Sequence, residues 1–252
     1  MYQRPRIIPC LTIQDNDLVK TTQFKNPRYI GDPVNSVKIF NDKGVDELCI
    51  LDINASKQNK EPNYQLLQEI ANEAFMPLSY GGGLKTLDQV KRIIKMGYEK
   101  VVFNTSFIID SQLIKDTVNF LGSSGVVISI DVKKNMFGKY VVYINDGSQE
   151  VKMSLIDVIK LVEDLDAGEI IINSITNDGM MEGYDLSLIK LVSESVSVPV
   201  IAIGGAKDVS DLKKAIENGA HAVAASSMFI YYGKQKAVLI TVPELSQFKV
   251  KQ

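Results

Sequence analysis

Eight short apolar runs recur along this chain, each followed by a stretch of helical periodicity, and this alternation constrains the fold more than any other feature. The runs are RIIPCL (6–11), ELCIL (47–51), MPLSY (76–80), KVVFN (100–104), GVVISI (125–130), EIIIN (169–173), VPVIAI (198–203) and HAVAA (221–225). Helical patterns fill 33–43, 62–74, 86–96, 110–121, 154–165, 185–195 and 208–218, and 227–233 reads as a short last helix. Strands that are apolar throughout, rather than alternating, belong to a parallel sheet buried on both faces. Eight such units in 252 residues give an α/β fold, a (β/α)8 TIM barrel spanning 1–252 as one domain. An open doubly wound sheet is the competing topology, but no G-x-G-x-x-G follows the first strand. Asp32 caps a helix with Pro33 at its first position, Asp110 and Ser154 are further caps, and Gly44, Gly97 and Gly219 stand just past helix ends. Two stretches break the rhythm. Residues 13–31 read as a long loop, and 132–151 as a β-hairpin with Asn145-Asp146-Gly147 turn chemistry.

The chain also repeats itself. GGLKTLDQVKRIIKMGYEKVVFNT from Gly82 aligns without gaps on GGAKDVSDLKKAIENGAHAVAASS from Gly204, an offset of 122. Gly82-Gly83 falls on Gly204-Gly205, and Asn104-Thr105 on Ser226-Ser227. At an offset of 119, RIIPCLT falls on GVVISID, so Thr12 corresponds to Asp131. Two half-barrels of four βα units account for this. Each half pairs glycines, whose backbone N–H groups can approach an oxyanion, with hydroxyl or amide side chains one strand later at a helix start. The pattern expects a phosphate at each end of a small-molecule substrate, or one site with a degenerate twin. Glycines that merely permit tight βα turns are the plainer explanation.

Composition narrows the chemistry. With 28 basic and 30 acidic residues the net charge is −2, which points to no nucleic acid and no membrane surface as partner. Cys10 and Cys49 sit inside apolar runs and read as reduced core residues of a cytoplasmic protein. MYQRPRIIPC turns polar too soon for a signal peptide. The one histidine, His221, excludes a metal site needing two and argues against a Ser-His-Asp triad; no metal and no cofactor is expected. In such barrels catalytic groups stand at the C-terminal strand ends. The carboxylates there are Asp52, Asp131 and Asp178. Asp131 directly follows its strand and is the first choice for general acid–base work, unless it holds Lys133 or Lys134. Asp178, followed by Gly179 as another phosphate-binding candidate, lies in a loop that is equally a capped turn. Asp52 could simply accept loop hydrogen bonds. Lys20 and Lys25 lie in the first loop, either closing over an anion or solvated.

The motifs RIIPCLTIQD, FKNPRYIGDPV, VDELCILDINAS, YGGG, VVFNTS, SIDVKK, NDGMMEGYD, IGGA and AAS, in this order, resemble the ammonia-dependent cyclase subunit of imidazole glycerol phosphate synthase over roughly residues 5–230. That resemblance implies a half-barrel-repeat (β/α)8 fold and a glutaminase subunit at the N-terminal barrel face. The partner's ammonia passes through the barrel to attack a phosphorylated substrate at the mouth. It also implies an ammonia gate of two basic and two acidic residues, matched by Arg6, Glu47, Lys100 and Glu169, with Glu99 beside them at a partner-contact position. Of the family's two catalytic aspartates, Asp131 matches the second and Thr12 replaces the first. A hydroxyl does not carry a proton through a cycle at neutral pH. The long match LVKTTQFKNPRYIGDPVNSVKIFNDKGVDEL resembles a paralogous branch serving surface polysaccharides, in which a sugar amidotransferase builds an acetamidino group. The expectation is therefore a cyclase relative with altered chemistry. The alternatives are an authentic cyclase of histidine biosynthesis and a non-catalytic ammonia-delivery scaffold.

Overall fold

The computed structural model describes residues 5–233 and 235–243. The chain opens with β1 (Arg6–Gln14), β2 (Asp17–Thr22), β3 (Lys25–Gly31), α1 (Pro33–Asp42), β4 (Leu48–Asp52) and α2 (Tyr64–Glu73). It continues with β5 (Leu78–Gly81), α3 (Leu87–Lys95), β6 (Lys100–Phe103), α4 (Thr105–Ile109), α5 (Ser111–Leu121), β7 (Val126–Lys134), β8 (Tyr140–Ile144) and β9 (Gln149–Ser154). Then follow α6 (Leu155–Asp164), β10 (Glu169–Ser174), α7 (Leu186–Ser193), β11 (Val200–Ile203), α8 (Val209–Glu217), β12 (Ala222–Ala225), α9 (Ser227–Ile230) and the hairpin β13 (Tyr231–Tyr232) and β14 (Ala237–Val238).

Eight of these strands pair in parallel around a circle: β1, β4, β5, β6, β7, β10, β11 and β12, with β12 returning to β1. Each is one of the eight apolar runs. Their side chains alternate between two apolar layers, because successive residues of a strand point to opposite faces. Ile7 and Leu11 join the large layer between barrel and helices. Ile8, Cys10, Cys49, Val127, Ile171 and Ile201 fill the lumen. The helix caps form as the residue types require: Asp32 accepts from the N–H of Asn35, Asp110 from Leu113 and Ser154 from Asp157.

The repeat is visible in the backbone. Asn104 and Ser226 precede the short helices α4 and α9 with nearly the same angles, φ −120, ψ −79 and φ −123, ψ −66.

Three expectations need correction, and one element was not foreseen. Residues 13–31 are not a loop: β1 runs on to Gln14, and β2 and β3 form an antiparallel hairpin laid against it. The run at 227–233 is helical only to Ile230, after which Tyr231 and Tyr232 pair with β14. Residues 105–109 form a separate short helix that the periodicity concealed. The 132–151 insertion is a three-stranded extension, β7–β8–β9, whose second turn is the expected Asn145-Asp146-Gly147.

Candidate active site

The C-terminal ends of the barrel strands surround a cavity of about 130 Å³. Asp131 lies in its wall, 7 % exposed, carried by β7 in register with Asn173 of β10. The Asn104 amide donates to its Oδ2 at 3.0 Å and the Asn173 amide to its Oδ1 at 3.1 Å. Neither Lys133 nor Lys134 holds it: both are exposed, and Lys134 pairs with Asp185 at 3.3 Å. Burial pushes the Asp131 carboxyl up to about 7, with Asn173 drawing it down, Asp178 and Asp146 pushing it further up and Asn104 opposing. A carboxyl held between two amides and poised near neutral pH is suited to take up and return a proton.

Thr12 lines the same cavity. Its hydroxyl donates to the backbone carbonyl of Val19 on β2 at 2.5 Å. That bond uses the one proton the hydroxyl has, so Thr12 offers the cavity only acceptor capacity. The β2–β3 hairpin it holds delivers Lys20, which is 5 % exposed with its ammonium 4.0 Å from Asp178. Lys25 is exposed. Thr21 donates to Asp178 at 3.5 Å, and the hairpin turn is tied to the same loop by Gln23 N–H to the Asp178 carbonyl at 2.9 Å. Asp52 accepts the N–H groups of Asn54 and Ala55, both at 3.1 Å, the loop-holding role that its position allowed.

The two halves of the repeat end on opposite sides of this mouth. Gly82, Gly83, Asn104 and Thr105 line the main cavity. Gly179, Gly204, Gly205, Ser226 and Ser227 line an adjoining cavity of about 20 Å³ that Lys20 also reaches. At Gly205, φ is +108 and a Cβ would stand 2.2 Å from the Gly183 carbonyl, so close packing alone requires glycine there. A ligand role rests instead on polar atoms without partners. The hydroxyls of Ser226 and Ser227 and the Asn173 Oδ1 are buried with no hydrogen bond among the described residues, a state that costs about 1–3 kcal/mol per group unless something fills it.

At the opposite end of the barrel, Arg6, Glu47, Lys100 and Glu169 close into a ring. Arg6 bonds Glu47 at 2.6 Å and Glu169 at 2.5 Å, and Lys100 bonds the same two at 3.1 and 3.0 Å. Burial works against the Arg6 charge, but Glu169 and then Glu47 more than offset it and hold its pKa above the ordinary value. Glu99 is exposed beside the ring. Between ring and mouth lies a lumen cavity of about 10 Å³, touched by Glu47 below and by Cys10 and Ile203 above. That is room for about one water-sized molecule. Cys10 and Cys49 face each other across β1 and β4, unbridged and buried. The Cys49 thiol, then burial, keep the Cys10 thiol well above its usual range.

Among the residues of the mouth, Asn173, Thr21 and Asp146 carry no functional signal in the sequence. Asn173 and Thr21 looked like strand and loop residues, and only the barrel register and the hairpin bring them to Asp131 and Asp178. Asp146 read as turn chemistry and nothing more, yet it lines the cavity.

The family model for histidine biosynthesis protein matches residues 6–236. A Pseudomonas aeruginosa (strain PAO1) protein, provisionally named imidazole glycerol phosphate synthase subunit hisF2, is 45% identical over 248 residues, covering 98% of this chain and 99% of that one. A Leptospira borgpetersenii protein provisionally named subunit HisF of the same synthase is 48% identical over 242 residues, 95% of each chain. The imidazole glycerol phosphate synthase subunit HisF of Petrotoga mobilis is 41% identical over 227 residues, 90% of each.

Proposed function

The chain belongs to the histidine biosynthesis protein family, as a HisF-like cyclase subunit of the imidazole glycerol phosphate synthase type, and from that premise we propose that it is the ammonia-using subunit of a glutaminase-dependent amidotransferase system. In this reading a glutaminase subunit docks at the face bearing the Arg6–Glu47–Lys100–Glu169 ring. Ammonia crosses the ring as neutral NH3, since an apolar lumen with room for about one small molecule penalises the ammonium ion heavily. It emerges beside Asp131, which accepts a proton from the nitrogen once the new C–N bond forms and returns it to the leaving oxygen. Lys20 and the buried Ser226 and Ser227 hydroxyls hold a substrate phosphate.

One observation supports chemistry other than that of a histidine-pathway cyclase. The position expected to hold a second aspartate is Thr12, and its proton is spent on the Val19 carbonyl. The acceptor is therefore a different one, with an acetamidino group on a surface-polysaccharide sugar as the product class. The test is an ammonia-dependent cyclase assay on the purified chain at alkaline pH, with the histidine-pathway precursor. Turnover is expected to fall about 10²–10⁴-fold below that of an enzyme holding both aspartates. Robust turnover, with rescue of a histidine auxotroph, overturns the proposal.

A further inference from the structure

The two ends of the mouth derive from one repeated sequence, yet the structure has made them chemically opposite. At the Gly204–Gly205 end, the Ser226 and Ser227 hydroxyls have no partner among the described residues, and the Lys20 ammonium, 4.0 Å from Asp178, lines the same cavity. At the Gly82–Gly83 end, the corresponding groups are spent. The Thr105 hydroxyl accepts the N–H of Asn145 at 3.1 Å and donates to Asn104 at 3.4 Å. The Asn104 amide, which could otherwise grip an oxyanion, donates to Ser129 and Asp131.

A carboxylate then occupies the same end. The bond from Asn145 to Thr105 fixes the β8–β9 turn over this half-site, and Asp146 is the next residue. Asn145, Asp146 and Gly147 are all left-handed, with φ of +53, +57 and +69, so the turn is closely defined. Asp146 is half-buried and lines the main cavity together with Gly83 and Thr105. Its carboxylate makes no hydrogen bond or ion pair among the described residues; Lys57, exposed nearby, acts on it only at longer range. Burial pushes Asp146 up to about 6, Lys57 opposing and Asp178 assisting, so at pH 8 it is charged.

We propose that the mouth takes a ligand with one phosphate, held at the Ser226–Ser227 end, and that Asp146 reserves the Gly82–Gly83 end for a neutral or cationic group bearing N–H or O–H donors, such as a sugar hydroxyl or amine. This rests on the phosphate reading of the Ser226–Ser227 end given above. Of the two sequence expectations, a phosphate at each end or one site with a degenerate twin, it takes the second: the repeat supplies two cradles, one an anion receptor and the other a hydrogen-bond acceptor. A second phosphate gains nothing at this end, because it would set a second dianion against Asp146 in a partly dry pocket.

The test is calorimetric binding of ribose 5-phosphate and ribose 1,5-bisphosphate to the full chain at pH 8. The native chain is expected to bind the two within about threefold of each other, while Asp146→Ser prefers the bisphosphate by about 100-fold, the scale of repulsion between close charges at a protein surface. Asp146→Asn, which keeps the shape, should show the same gain and so assign it to charge. A native chain preferring the bisphosphate by about tenfold or more overturns the inference but leaves the phosphate site standing. So does an Asp146→Ser chain with a native melting curve and native preference. Ser226→Asp should abolish binding of both ligands. A native chain that binds neither defeats the phosphate reading itself, and this inference with it.

Discussion

At the scale of single residues, the burial of Asp131 costs stability. Its folded pKa, raised to about 7 chiefly by burial, lies above the unfolded value of about 3.9. A carboxyl raised in this way costs nothing below about pH 4, where it is protonated in both states. The cost grows as the pH climbs toward 7 and is complete above it. Three units correspond to at most about 4 kcal/mol. Asp131→Asn removes that cost but turns an amide donor toward the donors of Asn104 or Asn173, giving back about 1 kcal/mol. The variant should therefore be about 2–3 kcal/mol more stable than the native chain in urea unfolding at pH 8, and no more stable at pH 4. A variant less stable at both pH values would show that Asp131 is a structural carboxylate. Thr12 illustrates the other limit of residue-level reading. Its type is plain in the sequence, but the recipient of its proton is a backbone carbonyl seven residues on, across a strand pairing no residue pattern announced.

Among the elements, the β2–β3 hairpin was the least legible and is central to the mouth. Hairpins with two-residue turns favour Asn-Gly or Asp-Gly, because both turn residues adopt positive φ. Here the tip is Gln23-Phe24, at φ +52 and +61. Neither residue announces such a turn. Tertiary bonds sustain it: the Gln23 N–H reaches the Asp178 carbonyl at 2.9 Å, and the Gln23 amide reaches Thr176 at 2.8 Å. The hairpin is thereby latched to the loop after β10, which carries Asp178, and Lys20 is buried between them. Gln23→Ala should cost only about 1 kcal/mol in global stability. Its larger effect should be local, with amide hydrogen exchange in 17–31 accelerating about fivefold or more while the barrel strands keep their protection. Uniform acceleration would mean that the hairpin does not open separately. The longer helices, by contrast, were readable to within two residues at each end, because caps such as Asp32 and Ser154 act within one turn of themselves.

Over the whole molecule, the decisive arrangement is a charged ring at one end of the barrel and a poised carboxyl at the other, joined by a narrow apolar lumen. The ring joins residues at the starts of β1, β6 and β10 and Glu47, just before β4, so its charges depend on one another. Lys100→Glu leaves three acidic side chains around Arg6, and losing one partner of a buried network typically costs about 3–5 kcal/mol. Glutamine-driven product formation with the glutaminase should collapse in this variant, while turnover on free ammonia at pH 9 is retained if the chain stays folded by circular dichroism. Loss of both would make the ring a structural feature only. The sequence by itself determined the eight strands, the two half-barrels, the capped helices and the residue types at the strand ends, because each depends on local periodicity or on a repeat within the chain. Only the tertiary structure decided which groups meet: Asn173 against Asp131 through barrel register, the Thr12 proton on Val19, Lys20 buried by its hairpin, and Asp146 over one half-site but not the other. Those contacts join residues as much as 163 positions apart, as between Arg6 and Glu169. Burial and hydrogen-bond partners at such distances follow from how the barrel closes, and barrel closure is a property of all eight strands together.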